Sequence, residues 1–191
     1  MSEDPDAITA PGRPSDTTGE AYDGRTILFH WLTAALVAGQ WVLAHYIDAF
    51  PRGPLRVDAR STHIMIGVLL VVILIARISW RNSGGRRLAP VAHPVARTLA
   101  KGMHYLLYLT LGAVLLAGIA NAWIRGDSLF NLFHLPSPAP GDKALRGLGE
   151  EVHEWLANGI LILAGLHAAA AVLHPIVWKD TVLKRMLPRL G

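Results

Sequence analysis

From His153 to Val177 the chain carries no formally charged residue except Glu154. That is more apolar length than a bilayer core requires, so this stretch fixes the class of fold before anything else is read. Three histidines interrupt it: His153, His167 and His174. Helical geometry brings His153 and His167 to within about 40° of one face and roughly 21 Å apart along the axis. An imidazole facing lipid is costly, so histidines at this depth face the bundle and have partners. Small residues flank the inner two, Ala164, Gly165 and then Ala168 to Ala171, and leave room for something flat and large. One helix with two histidines on one face at two depths is an arrangement that would ligate two stacked haems.

Three more apolar runs precede it, at about 27–47, 62–80 and 99–123. His30 and His45 lie near the two ends of the first, His63 opens the second, and His104 lies just inside the third. The chain therefore reads as an all-α integral membrane protein, a bundle of four transmembrane helices spanning 25–191. Residues 1–24 are rich in Pro, Gly, Ser, Thr and acids, and read as a disordered tail rather than a signal peptide. The connections at about 48–61 and 81–98 are broken by proline and glycine, and 125–149 reads as a long, nearly charge-balanced loop.

Composition narrows the chemistry. Of 191 residues, 52% are hydrophobic and 17% charged, and cysteine is absent, which excludes disulfides, iron–sulfur clusters, thiolate-ligated haem and covalent c-type attachment. The formal charge of +4 does not indicate nucleic acid, because the basic residues cluster at the ends of apolar runs. Twelve lie on the side of the termini and the 81–98 loop, against six on the other. The positive-inside rule then places both termini in the cytoplasm, with the six tryptophans near span ends as interfacial anchors.

Depth pairs the histidines. His63 and His153 open their spans on the outer side, whereas His30 and His167 lie toward the cytoplasm. Imidazoles on both faces of a haem iron make a centre suited to moving electrons rather than binding oxygen. His45 shares the outer depth, but lies about 60° round the helix from His30 and at a span end, where a solvated histidine is ordinary. Pairing His174 with His153 would stretch the separation to about 31 Å, so His174 reads as a polar neighbour of the inner haem. His104 reads equally as a propionate or quinone partner and as a helix-end residue; His93 and His134 read as loop residues. The alanine run has helix packing as its plainer reading.

Several of these features resemble the bacterial cytochrome b561 family of four-helix di-haem membrane cytochromes. They are FHW at 29–31, HIMIG at 63–67, and the block HEWLAN…GLHAAAAVLHPIVWKDTVLKRMLP that begins at His153. The resemblance covers about 25–189 and is nearest to the superoxide oxidase type, which passes electrons from superoxide to ubiquinone. It implies two haem b groups held by His30, His63, His153 and His167, the same four that depth selects. It also implies a multi-pass protein of the bacterial inner membrane.

Two functions follow as expectations. In the first, superoxide gives its electron at the outer side and ubiquinone is reduced near the cytoplasmic face. Arg52, Arg56 and Arg60 would steer the anion, their plainer reading being flanking basic residues of a solvated loop. His174, His104 and Lys179 would frame the quinone, their plainer reading being capping and snorkelling at helix ends. In the second, the chain is a haem b subunit docked to a hydrogenase- or formate-dehydrogenase-type partner through the 125–149 loop. Transport is disfavoured, because no inverted repeat or pair of Gly/Pro-broken helices is visible.

Overall fold

The computed structural model describes residues 21–88, 94–178 and 182–187, without the side chains of His174, Pro175 and Trp178. The expectations for the residue 1–20 part of the tail, for His93 and Lys179, and for the His174 side chain lie outside the described residues. Among the described residues the chain forms four long helices: α1 (Gly24–Tyr46), α2 (Pro54–Ser83), α3 (Pro94–Arg125) and α4 (Lys143–Trp178). Each is long and apolar enough to cross a membrane. The fold is the all-α, four-helix membrane bundle that the hydropathy pattern predicts.

Two helices begin well before their apolar runs. α2 starts at Pro54 rather than near Thr62, and α4 at Lys143 rather than near His153. The reason is local. Gly53, at φ 136°, turns the chain, and Pro54 occupies the first helical position, where its missing N–H costs nothing. At α4 the Asp142 carboxylate accepts the Leu145 N–H at 2.9 Å. Hydropathy marks only the lipid-facing part of a helix, whereas backbone hydrogen bonding continues into the polar turns beyond.

The 125–149 connection is more ordered than a plain loop. It carries a small antiparallel hairpin, β1 (Ser128–Leu129) against β2 (Phe133–His134), with Ser128 opposite His134. Phe130 and Asn131 turn it at φ 50° and 57°, the left-handed region that a bulky side chain rarely enters. The fully buried Ser61 hydroxyl of α2 holds that turn, accepting the Phe130 N–H at 2.8 Å and donating within reach of the Val57 and Ser128 carbonyls.

Helix α3 packs most extensively on α4, and α1 on α2, while the α1–α4 seam is sparse. Leu74, Leu111, Val114 and Ile160 form a buried layer, with Val37, Leu107, Tyr108 and Leu156 packed against it. Leu109, Leu116 and Ile176 point outward, as lipid-facing residues should. At the far end Asp23 clamps three segments. Its carboxylate accepts from the Thr26 N–H and hydroxyl, which cap α1, from the Trp80 indole of α2, and from the Arg86 N–H beyond α2. Burial pushes this carboxyl up, but those hydrogen bonds outweigh it and hold it well below the usual carboxylate range.

Candidate functional site

The sparse α1–α4 seam and the α2–α4 face hold two groups of histidines. In the outer group the rings of His63 and His153 are 6.2 Å apart, centre to centre, and nearly perpendicular at 87°. In the inner group His30 and His167 are also 6.2 Å apart, at 69°. His104 of α3 lies closer still to His167, at 5.3 Å. His63 stands nine residues after Pro54 and His153 ten after Lys143, so the outer pair lies roughly 14 Å below the ends of its helices.

Around the outer pair a cavity of about 380 Å³ runs from apolar walls to a polar mouth. Val37, Leu70, Leu111 and Leu161 are among its apolar lining, and His63 and His153 face it from α2 and α4. The early turns of α2 and α4 and the residues ending α3 form the mouth. Arg60, Arg125 and Arg146 meet Asp48, Asp127 and Glu150 there, so formal charge at the mouth balances. Asp127 lies 3.9 Å from Arg60 and 3.3 Å from Arg125, which also reaches Glu150 at 3.4 Å.

Of the three loop arginines expected on this side, the structure brings only Arg60 to the cavity. Arg56 lies in the first turn of α2 rather than in a loop. It turns back on the segment before the helix, donating to the Asp48 and Phe50 carbonyls and pairing with the Asp48 carboxylate at 3.5 Å. Arg52 is exposed. His45 stacks on Trp41 at 4.6 Å and lines the cavity rim, while Trp41 donates to Asn158 across the α1–α4 seam. His134 is an exposed strand residue rather than a loop residue. His104 is drawn into the inner group, its Nδ1 2.6 Å from the Ala100 carbonyl of its own helix.

Sequence reading missed Arg125, Asp127, Arg146 and Glu150, because it placed them in a loop or at span ends. It also missed Gly118 and Arg77. A Cβ built on Gly118 would lie 2.8 Å from His153 Cε1, so α3 is cut away where that imidazole sits. Arg77 follows an uncharged run in α2, a signal available in the sequence but weighed there only toward orientation.

These observations test whether the histidines suit a metal held between rings. Two imidazoles bound on opposite sides of one ion, each nitrogen about 2.0 Å from it, place their ring centres about 6 Å apart. Both 6.2 Å pairs meet that spacing, and the 5.3 Å His104–His167 contact is too close for it. The Val114 carbonyl lies 3.1 Å from His153 Nδ1, so it holds the proton there and leaves Nε2 bare for a metal. The residues fit haem.

A family model for prokaryotic cytochrome b561 matches residues 21–189. The chain belongs to the prokaryotic cytochrome b561 family. As a cytochrome b561 it is a haem b-binding electron-transport protein of the membrane. It is 31% identical to cytochrome b561 homolog 2 of Escherichia coli K12 over 180 residues, covering 89% of this chain and 93% of that one. It is 30% identical to cytochrome b561 homolog 1 of the same organism, over 85% and 94% of the two chains. A protein of Yersinia pestis named "Probable superoxide oxidase CybB" is 30% identical over 88% of this cytochrome and 96% of its own length.

Proposed function

We propose that this cytochrome carries electrons across the bacterial inner membrane through two haem b groups, oxidising superoxide outside and reducing ubiquinone near the cytoplasmic face. The observation that carries the reading is the pair of histidine couples, each 6.2 Å apart, set at two depths along α4. His63 and His153 hold the outer haem; His30 and His167 hold the inner one. Bound there, haem supplies a one-electron iron couple at each depth. The likeness to the Yersinia pestis protein supports superoxide as the donor. Two superoxide anions give up one electron each and leave dioxygen, and ubiquinone takes both electrons with two protons.

The protein's own part is to bind, insulate and steer. The Val114 carbonyl fixes the His153 proton at Nδ1 and so orients the ring. Leu74, Leu111, Val114 and Ile160 keep a dry layer in the centre of the bundle. At the mouth Arg60 faces the cavity, and Arg52 and Arg56 would add to the field from outside it. On the inner side His104 stands against His167, and sequence order supports His174 and Lys179 as further quinone neighbours. The basic-residue count supports a cytoplasmic position for the termini, and with them the inner group.

Rapid mixing of the purified protein with superoxide tests the reading, with haem reduction and reoxidation by a water-soluble ubiquinone followed separately. Both phases should appear without another protein. Reduction only in the presence of a co-purified dehydrogenase would reassign the chain as an electron-transfer subunit. His174→Ala should slow reoxidation and leave reduction intact; an unchanged rate between pH 6 and 8 would move the quinone elsewhere.

A further inference from the structure

Arg77 is a charged side chain inside the bundle that the proposed electron path leaves unused. It stands six residues before the end of α2, half-buried, and it turns inward rather than toward the interface. Its Nη2 lies 3.3 Å from His30 Nδ1, and its guanidinium lies 5.3 Å from the centre of the Tyr108 ring on α3. It therefore touches the inner group through His30, whose ring lies 6.2 Å from that of His167.

Among the described residues its counter-charge is missing. Arg56, Arg60 and Arg125 each have a carboxylate within 4 Å. Among the described residues no carboxylate pairs with Arg77, whose partners are an imidazole and an aromatic face. A guanidinium inside a membrane bundle is costly unless it meets an anion, and neither partner is one. Snorkelling would relieve the cost, but the side chain points the other way.

The contact with His30 fixes a tautomer. Arginine only donates, so His30 Nδ1 accepts in this arrangement, and a neutral ring then carries its proton on Nε2. For His30 to offer Nε2 to a metal, the proton must sit on Nδ1. Arg77 must then give up that nitrogen and take another acceptor.

We infer that Arg77 is the carboxylate-binding residue of the inner haem site and holds a propionate of that haem. The inference rests on the reading of His30 and His167 as haem ligands. A forked, permanently charged donor between α1, α2 and α3 suits a carboxylate better than a point charge would. It would fix which way round the porphyrin enters and raise the inner potential, since a nearby cation disfavours the oxidised, more positive iron.

The test uses the holoprotein, stripped of quinone in detergent, with Arg77→Gln and Arg77→Lys. In redox-difference infrared spectra of protein carrying ¹³C-propionate-labelled haem, a labelled carboxylate band should shift in Arg77→Gln and return toward its place in Arg77→Lys. Haem loss to apomyoglobin should quicken about tenfold for one of the two haems. The potential of that haem should fall, while the other keeps its potential and reports that the bundle is folded. If Arg77→Gln accumulates too little protein, the same band and loss rate are read in Arg77→Lys, where loss should still exceed wild type. An unmoved labelled band with wild-type loss rates would overturn the inference and leave the haem ligands standing. An effect seen only when quinone is restored would assign the cation to a quinone oxygen and overturn it as well. Wild-type protein with no inner haem would overturn the ligand reading itself.

Discussion

His153 Nδ1 and the Val114 carbonyl oxygen lie 3.1 Å apart across the α3–α4 interface. Val114 belongs to the buried central layer, so the packing that closes the bundle also sets the orientation of the outer imidazole. A main-chain oxygen on a helix cannot be removed by changing its side chain, and a helical carbonyl keeps its direction. The outer site therefore depends on the register of α3 against α4, the most extensive helix contact in the molecule.

Removing one ring of a pair should remove one haem. His63→Ala or His153→Ala should lower the pyridine haemochrome count by about half and spare the inner centre, and His30→Ala or His167→Ala should do the reverse. His45→Ala should keep both haems, because that ring stacks on Trp41 at the rim. Loss of haem from His45→Ala but not His30→Ala would show that α1 supplies a different ligand.

Gly118 gives a finer test of the same site. A Cβ there would meet His153 Cε1 at 2.8 Å, a distance that carbon atoms do not tolerate, and both are held on packed helices. Gly118→Ala should destabilise the outer site by about 1–3 kcal/mol, the usual range for overpacking. The check is haem retention during thermal melting, with Gly112→Ala as the control, since a Cβ at Gly112 meets nothing within 4 Å. Equal melting of the two variants would mean that the ring moves aside without cost.

Hydropathy and histidine spacing were enough to identify four spans and to match His63 with His153 by depth, because both signals repeat along single helices. What they could not show was how far each helix runs beyond the lipid. Pro54 and Lys143 begin helices inside polar sequence, and those extra turns build the mouth that carries Arg60 and Glu150. His104 stayed ambiguous for a related reason. Its position on α3 says nothing about which way α3 faces, and only the packing of α3 on α4 brings it to 5.3 Å from His167. The hairpin was hidden as well, since a left-handed Phe130 is disfavoured locally and is held by Ser61, sixty-nine residues away in sequence.

The arginines on the outer side should act on rate rather than on assembly. Neutralising Arg52, Arg56 and Arg60 together should slow reduction by superoxide and flatten its dependence on salt, because steering is screened over about 8–10 Å. Arg60→Gln alone should give most of the effect, as the one of the three that lines the cavity. Haem content should be normal in each variant. A wild-type rate at low ionic strength would leave these residues as topological signals only.

The Asp23 clamp predicts how stability should follow pH at the end of the bundle that carries the N-terminus of α1. Hydrogen bonds from Thr26, Trp80 and Arg86 hold its carboxyl well below the usual range, against the opposing effect of burial. A carboxyl with a lowered folded-state pKa contributes stability in full above its unfolded pKa of about 3.9 and loses it as pH falls through the folded value. Thermal unfolding in detergent, followed from pH 7 down to pH 3 by intrinsic fluorescence, should therefore show this contribution intact through neutral pH and weakening only below about pH 4. Asp23→Asn retains an oxygen that caps α1 but cannot carry the charge. It should melt lower than wild type at pH 6, and the gap should begin to narrow as the pH falls below about 4 toward 3. The Trp80 indole gives an independent handle, because Trp80→Phe removes one donor to the Asp23 carboxylate. With Trp80→Phe in place, the further substitution Asp23→Asn should therefore cost less at pH 6 than it does alone. Parallel melting curves for wild type and Asp23→Asn across the whole range would show that the clamp holds by shape and not by charge.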